Sequence, residues 1–86
     1  MSLTRNFVIW QFQGKNTKDG VYKSNNWNNL LMHQSKACEY AYTGLLDSIT
    51  TDNGDYYFDI LSMSMIVRID SFISDNIPIR RIIKNT

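Results

Sequence analysis

Asn26-Trp27-Asn28-Asn29-Leu30-Leu31-Met32-His33-Gln34-Ser35-Lys36-Ala37-Cys38-Glu39-Tyr40-Ala41-Tyr42-Thr43-Gly44-Leu45-Leu46-Asp47-Ser48: whether the chain mixes helix with sheet or is all sheet turns on these residues. Placed at about 100° per residue, Trp27, Leu30, Leu31, Cys38, Ala41, Tyr42, Leu45 and the following Ile49 fall on one stripe roughly 120° wide. Asn28, Asn29, Met32, Lys36, Glu39, Thr43 and Asp47 mostly face the other way. Ser24, Asn25 or Asn26 can supply an N-cap oxygen. The spacing predicts one long amphipathic helix over about 26–48, with Leu31, Cys38, Tyr42 and Leu45 buried. Gly44 then sits inside the helix as a tolerated weak spot that costs about 1 kcal/mol against Ala.

On the N-terminal side, Phe7-Val8-Ile9-Trp10-Gln11-Phe12 is dense in aromatic and β-branched residues, which favour a pleated, half-buried surface. Residues 14–20 begin and end with Gly and read as a hairpin loop longer than two residues, with Val21-Tyr22-Lys23 as the return strand. On the C-terminal side, residues 50–55 are a turn cluster. Tyr56, Phe58 and Ile60 then alternate with polar residues; Leu61, Met63, Met65, Val67 and Ile69 alternate in the opposite phase. A slip of phase between Ile60 and Leu61 needs either a bulge in one long strand or a tight turn between two; a helical segment at 55–61 is a third option. Residues 74–76 form a further turn. Residues 77–84, with Pro78 near the start, read as a closing edge strand rather than a short helix. The expected fold is a small two-layer α+β domain, residues 1–86: an N-terminal β-hairpin, one helix, then two or three antiparallel strands.

The chain has 86 residues, 43% of them apolar, and a formal charge of +1. That suffices for one core and not for two, and nothing in the total demands nucleic acid. The single cysteine, Cys38, leaves no internal disulfide and fits a reducing cytoplasm. Apolar runs are too short for a membrane span, and the N-terminus lacks the apolar region of a signal peptide. Nine Asn and ten Ile against two Ala are a skew common in viral and mobile-element proteins, which would place the chain in a host cell's cytoplasm.

Chemistry-bearing residues are few. His33 and Cys38 lie about 140° apart on a helix; Cys38 on the apolar stripe is a core residue, and His33 a surface imidazole. One His and one Cys cannot make a four-ligand zinc site. The acids around Asp52, Asp55 and Asp59 lack the terminal Glu of a Ca²⁺ loop, since Glu39 is the sole Glu. Gly14–Gly20 lacks the ending of a phosphate-binding loop. No enzyme, cofactor, metal or small-molecule substrate is expected.

Charge is segregated. Arg5, Lys15, Lys18, Lys23 and Lys36 open the chain against Asp19 alone; Arg80, Arg81 and Lys84 close it; six of eight acids lie between Asp47 and Asp75. Should the first and last strands lie side by side, the basic ends merge into one docking surface. Tyr40 is an aromatic anchor. The expected function is a non-enzymatic protein-interaction module (an inhibitor, adaptor or regulatory subunit) that binds through Tyr40, Lys15, Lys18, Lys23, Arg80, Arg81 and Lys84. A homodimer through the sheet or its edges, at 21–23 or 77–83, is the expected form of self-association. Nucleic-acid binding by the basic termini, with Trp10, Tyr22, Trp27 and Tyr40 nearby, is the alternative.

Overall fold

The computed structural model describes residues 6–85. Their elements are β1 (Asn6–Thr17), β2 (Gly20–Asn29), α1 (Met32–Thr43), β3 (Ser48–Thr51), β4 (Tyr56–Asp59), β5 (Ser64–Ile69), β6 (Phe72–Ile73) and β7 (Ile77–Asn85). All strand pairs are antiparallel, in the order β2-β1-β7-β5-β4-β3, with β6 also on β5. The class is α+β with a single helix, as expected, and more strands than expected.

The helix is half its expected length. Trp27–Asn29 belong to β2 and pair with Gln13–Gln11 of β1. The four asparagines at 25, 26, 28 and 29 are poor helix formers, and the sheet ladder takes Asn28 and Asn29. The helix starts after Leu31, whose side chain offers no cap oxygen. Gln34 closes that end instead, its Oε1 accepting from the Leu31 N–H at 3.2 Å. The other end is a Schellman turn: Leu46 N–H donates to Ala41 O at 2.8 Å and Leu45 N–H to Tyr42 O at 3.4 Å. Gly44 is therefore the C-cap and not an interior residue. With the ends cut off, the stripe dissolves. Leu31, Tyr42 and Leu45 are 62%, 44% and 89% exposed, contrary to expectation, and only Cys38 of the four is buried. The helix buries Gln34, Cys38 and Ala41, a flank at i, i+4, i+7.

The hairpin is longer and tighter than expected. Thr17 pairs with Gly20, so the loop is only Lys18-Asp19. Thr17 Oγ1 accepts from the Asp19 and Gly20 N–H groups, each at 3.2 Å, and donates to Gly20 O at 2.9 Å. The Phe72 ring lies so close over Gly20 that a Cβ there would meet it at 2.7 Å. Three residues of β2, 24–26, are unpaired where the register shifts at Gln13/Gly14.

The slip of phase at Ile60/Leu61 is a turn between two strands. Asp59 pairs with Ser64, and Asp59 Oδ1 accepts from the Ser62 N–H at 3.1 Å. β7 is a strand, but not an edge. Its Ile79–Asn85 pair with β1 and its Ile77–Pro78 with β5, so it joins the two halves of the sheet. The path ends at β2 and β3. Trp10, Phe12, Phe58, Met65, Val67, Ile77 and Ile79 line the face under the helix and are at most 3% exposed.

Candidate functional site

β1 and β7 lie side by side, which meets the condition for the basic ends to merge. None of the three adjacent strands β2, β1 and β7 contains an Asp or Glu, while together they carry Lys15, Lys23, Arg80, Arg81 and Lys84. Strand alternation divides these residues between two faces. Trp10, Phe12, Ile79 and Arg81 point toward the helix, because Trp10 pairs with Arg81 and Phe12 with Ile79. Phe7, Ile9, Gln11, Arg80, Ile82 and Lys84 point the other way, through the pairs Phe7–Lys84, Ile9–Ile82 and Gln11–Arg80. Lys15 follows Gln13 onto that face. One helix covers one face, and this second face of β2-β1-β7 is open.

The two arginines are held differently. Arg81 clasps the helix: its Nε and Nη2 donate to Glu39 Oε1 and Oε2 at 2.8 and 2.9 Å, and Trp10 Nε1 donates to the same Oε1 at 3.0 Å. Its guanidinium also lies 4.7 Å over the Tyr42 ring. The Arg81 hydrogen bonds hold the Glu39 carboxyl below its ordinary value, and Glu39 in turn raises Arg81. Both charges are used inside the fold. Arg80 stays on the open face, where its guanidinium stacks 4.2 Å over Trp27 and its Nε donates to Gln11 Oε1 at 2.9 Å. The stack covers one face of the indole.

Of the residues proposed from sequence, Lys15 and Lys84 are exposed on or beside the open face, with Arg80 between them. Lys23 is exposed on the edge strand β2. Lys18 is in the hairpin turn at the far end, next to Asp19. Tyr40, 68% exposed, projects from the helix and so belongs to the other layer. Arg5 lies outside the described residues.

Sequence reading missed a second clasp. Asp52, in the tight turn after β3, accepts from Gln34 Nε2 at 3.0 Å and from Thr51 Oγ1 at 2.7 Å, and contacts His33 Nε2 at 2.9 Å. The Gln34 bond and then the Thr51 bond lower the Asp52 carboxyl from its ordinary value. Nothing in the spacing of residues 33, 34 and 52 signals this contact, because the turn that brings them together is a long-range product of the sheet. The clasp carries no free nucleophile: the Thr51 hydroxyl donates to Asp52, away from His33. Burial pushes the Cys38 thiol up to about 12, which keeps it protonated and unreactive.

Among the described residues no group of three or more His, Cys, Asp or Glu is placed to hold a metal ion, and no helix is long and apolar enough to cross a membrane. A groove of about 520 Å³ between the hairpin turn and the β5–β6 turn has Lys18, Asp19 and Asp70 on its rim and no convergent set of catalytic groups. No protein-family model, no curated protein and no solved structure matches the chain.

Proposed function

We propose that this chain is a non-enzymatic protein-interaction module that docks the open face of β2-β1-β7 on an acidic protein surface. The supporting observation is that three adjacent strands without a single acidic residue present Lys15, Arg80 and Lys84 on a face no helix covers. Like charges gathered on one face favour a partner of opposite sign and steer its approach. Ile9, Ile82 and Phe7 supply apolar contact between the charges. The partner is another protein or the acidic end of a second copy, and docking makes the chain an inhibitor, adaptor or regulatory subunit. A reducing cytoplasm, a host cell's if the Asn- and Ile-rich usage reflects a virus or mobile element, suits the lone buried thiol.

Nucleic-acid binding ranks below this reading. Single strands need free aromatic faces for stacking, whereas Arg80 takes one face of Trp27 and Tyr22 packs edge-on against Phe72 at 5.1 Å.

The test is affinity capture from the source cells with the wild type and with the Lys15→Glu/Lys84→Glu variant. A stoichiometric partner whose recovery falls at least about tenfold in the variant, and falls with added salt, supports the reading. Equal recovery by both proteins overturns it. A low-salt titration with mixed oligonucleotides is expected to show no binding; tight binding there would favour nucleic acid.

A further inference from the structure

The two strands that flank β1 do not cover it equally. β7 runs along its whole N-terminal half, from Asn6 to Phe12, whereas β2 reaches only from Thr17 back to Gln11. The backbone of Trp10 shows which edge each residue addresses: its carbonyl accepts from Leu30 N–H at 2.9 Å and its N–H donates to Ser35 Oγ at 3.0 Å. Both partners lie on the β2 side. By the alternation of an antiparallel ladder, Val8 and Asn6 present their N–H and C=O groups to that same side. Phe7 and Ile9 present theirs to β7. The residue that would continue β2 opposite Val8 is Met32, and there the chain has already turned into the helix. Among the described residues no strand pairs with this edge.

The gap is a groove of about 480 Å³ between the β1 edge and the first turns of the helix, lined by Phe7, Val8, Leu30 and Met32 with Lys36 on its rim. Its walls are mostly apolar, and its one charged side chain is basic. An unpaired strand edge beside an apolar slot has the form of a strand-addition site: main-chain bonds hold an extended segment, and pockets take alternate side chains.

We propose that an extended segment of a partner polypeptide adds to the sheet along Asn6–Val8, placing an apolar side chain against Leu30 and Met32 and a carboxylate near Lys36. A second copy is the poorer occupant through its own β1, which has no acid to offer Lys36. This inference goes beyond the open-face reading by adding a second contact site along the β1 edge, and it rests on that reading only for the partner's acidic charge.

The experiment is selection of phage-displayed heptapeptides on the intact wild-type protein, followed by binding of the enriched peptides as synthetic, end-blocked molecules. The expected peptides alternate apolar residues with at least one Asp or Glu. Two variants test the placement. Val8→Pro removes the outward N–H while leaving the Phe7 and Ile9 bonds to β7 in place, and should weaken the peptides at least about tenfold. Lys36→Glu, at an exposed site, should shift the preference from acidic to basic peptides. Should Val8→Pro lose its fold, Lys36→Glu and amide exchange at Val8, slowed by peptide in the wild type, still decide. Peptides that bind the variants and the wild type equally, a Val8 amide indifferent to peptide, or no enrichment would each overturn the proposal. Val8 protection that rises with protein concentration without peptide would make a second copy the occupant and overturn it too. Failure of the open-face reading and failure of the groove show in different variants: Lys15→Glu/Lys84→Glu tests the first, and Val8→Pro and Lys36→Glu test the second.

Discussion

β3, β4 and β5 turn the chain at both of their ends, and the two ends put left-handed backbone on different kinds of residue. At the end where Tyr56 pairs with Val67, positive φ falls on Asp52 (57°), Asn53 (57°), Gly54 (91°) and Asp70 (54°). At the end where Asp59 pairs with Ser64, it falls on Leu45 (59°) and Met63 (54°). Gly avoids the steric cost of that conformation, and Asn and Asp offset part of it with local hydrogen bonds; Leu and Met do neither. The polar end is also tied to the helix through Asp52. The leucine end exposes Leu45 and Leu61 at 89% and 75%, and its ties are main-chain bonds alone: Asp47 O accepts from Ile60 and Leu61 N–H at 2.8 and 3.3 Å, and Met63 O from Ile79 N–H at 3.0 Å. One end is therefore built for stability. The other carries strain at Leu45 and Met63, and although Met63 packs against the core, Leu45 and Leu61 stay in solvent.

The largest effect should come from the residue both ends share. Phe58 is fully buried in the middle of β4. Phe58→Ala should cost about 3–5 kcal/mol, enough to unfold a domain of this size, and both ends should melt in one urea transition. A loss below about 1 kcal/mol, or two separate transitions, would show that the ends are held independently.

Asp52 comes next, since it is the tie the leucine end lacks. Asp52→Ala leaves the Gln34 amide, in a side chain only 2% exposed, without its acceptor. The expected loss in urea denaturation is about 1–3 kcal/mol. The pH dependence follows from the directions of shift. Asp52 and Glu39 both have folded values lowered from their ordinary 3.8 and 4.5. Their contribution is complete above those ordinary values and is lost as pH falls through the lowered ones. Wild-type stability should thus drop below about pH 4, and the drop should be shallower in Asp52→Ala. An unchanged acid limb would mean that Asp52 is not held by these bonds.

These contrasts mark how far the sequence could be read. Local signals worked: the alternation at 56–60 and 61–69 found β4 and β5, the apolar run at 7–12 found β1, and burial of Cys38 followed from its place on the stripe. The helix boundaries failed because helical spacing at Trp27 and Leu45 is coincidental. Trp27 is paired into β2, and Leu45 lies past a Schellman turn that its own side chain does not announce. The basic face was readable only as a condition, since adjacency of β1 and β7 is a contact between the chain's two ends. The open β1 edge was not readable at all, because it depends on where β2 stops.

A smaller test compares the sign of a change at the two ends. Gly54 has φ 91° and open space where a Cβ would stand. Gly54→Ala at the polar end should therefore cost about 1 kcal/mol through backbone strain alone. A neutral result would show that the turn relaxes around the new residue.

The mirror substitution at the leucine end should have the opposite sign. Leu45 occupies the position after the C-cap, where a Schellman turn favours Gly, and Gly44 stands one residue too early to help. Replacing Leu45 by Gly removes the left-handed penalty of about 1–2 kcal/mol, while the added freedom of the unfolded chain takes back part of the gain. The Leu45 side chain, 89% exposed, contributes almost no burial to lose. A net stabilisation of about 0.5–1 kcal/mol is expected, read as a higher urea midpoint with unchanged slope. Leu45→Ala separates the causes: it removes the apolar side chain and keeps the Cβ that creates the strain, so it should leave the midpoint near the wild type. If Gly and Ala raise stability equally, the benefit comes from losing exposed leucine and not from backbone relief. If Gly lowers it, Leu45 makes a contact that its exposure hides, and the contrast between the two ends fails.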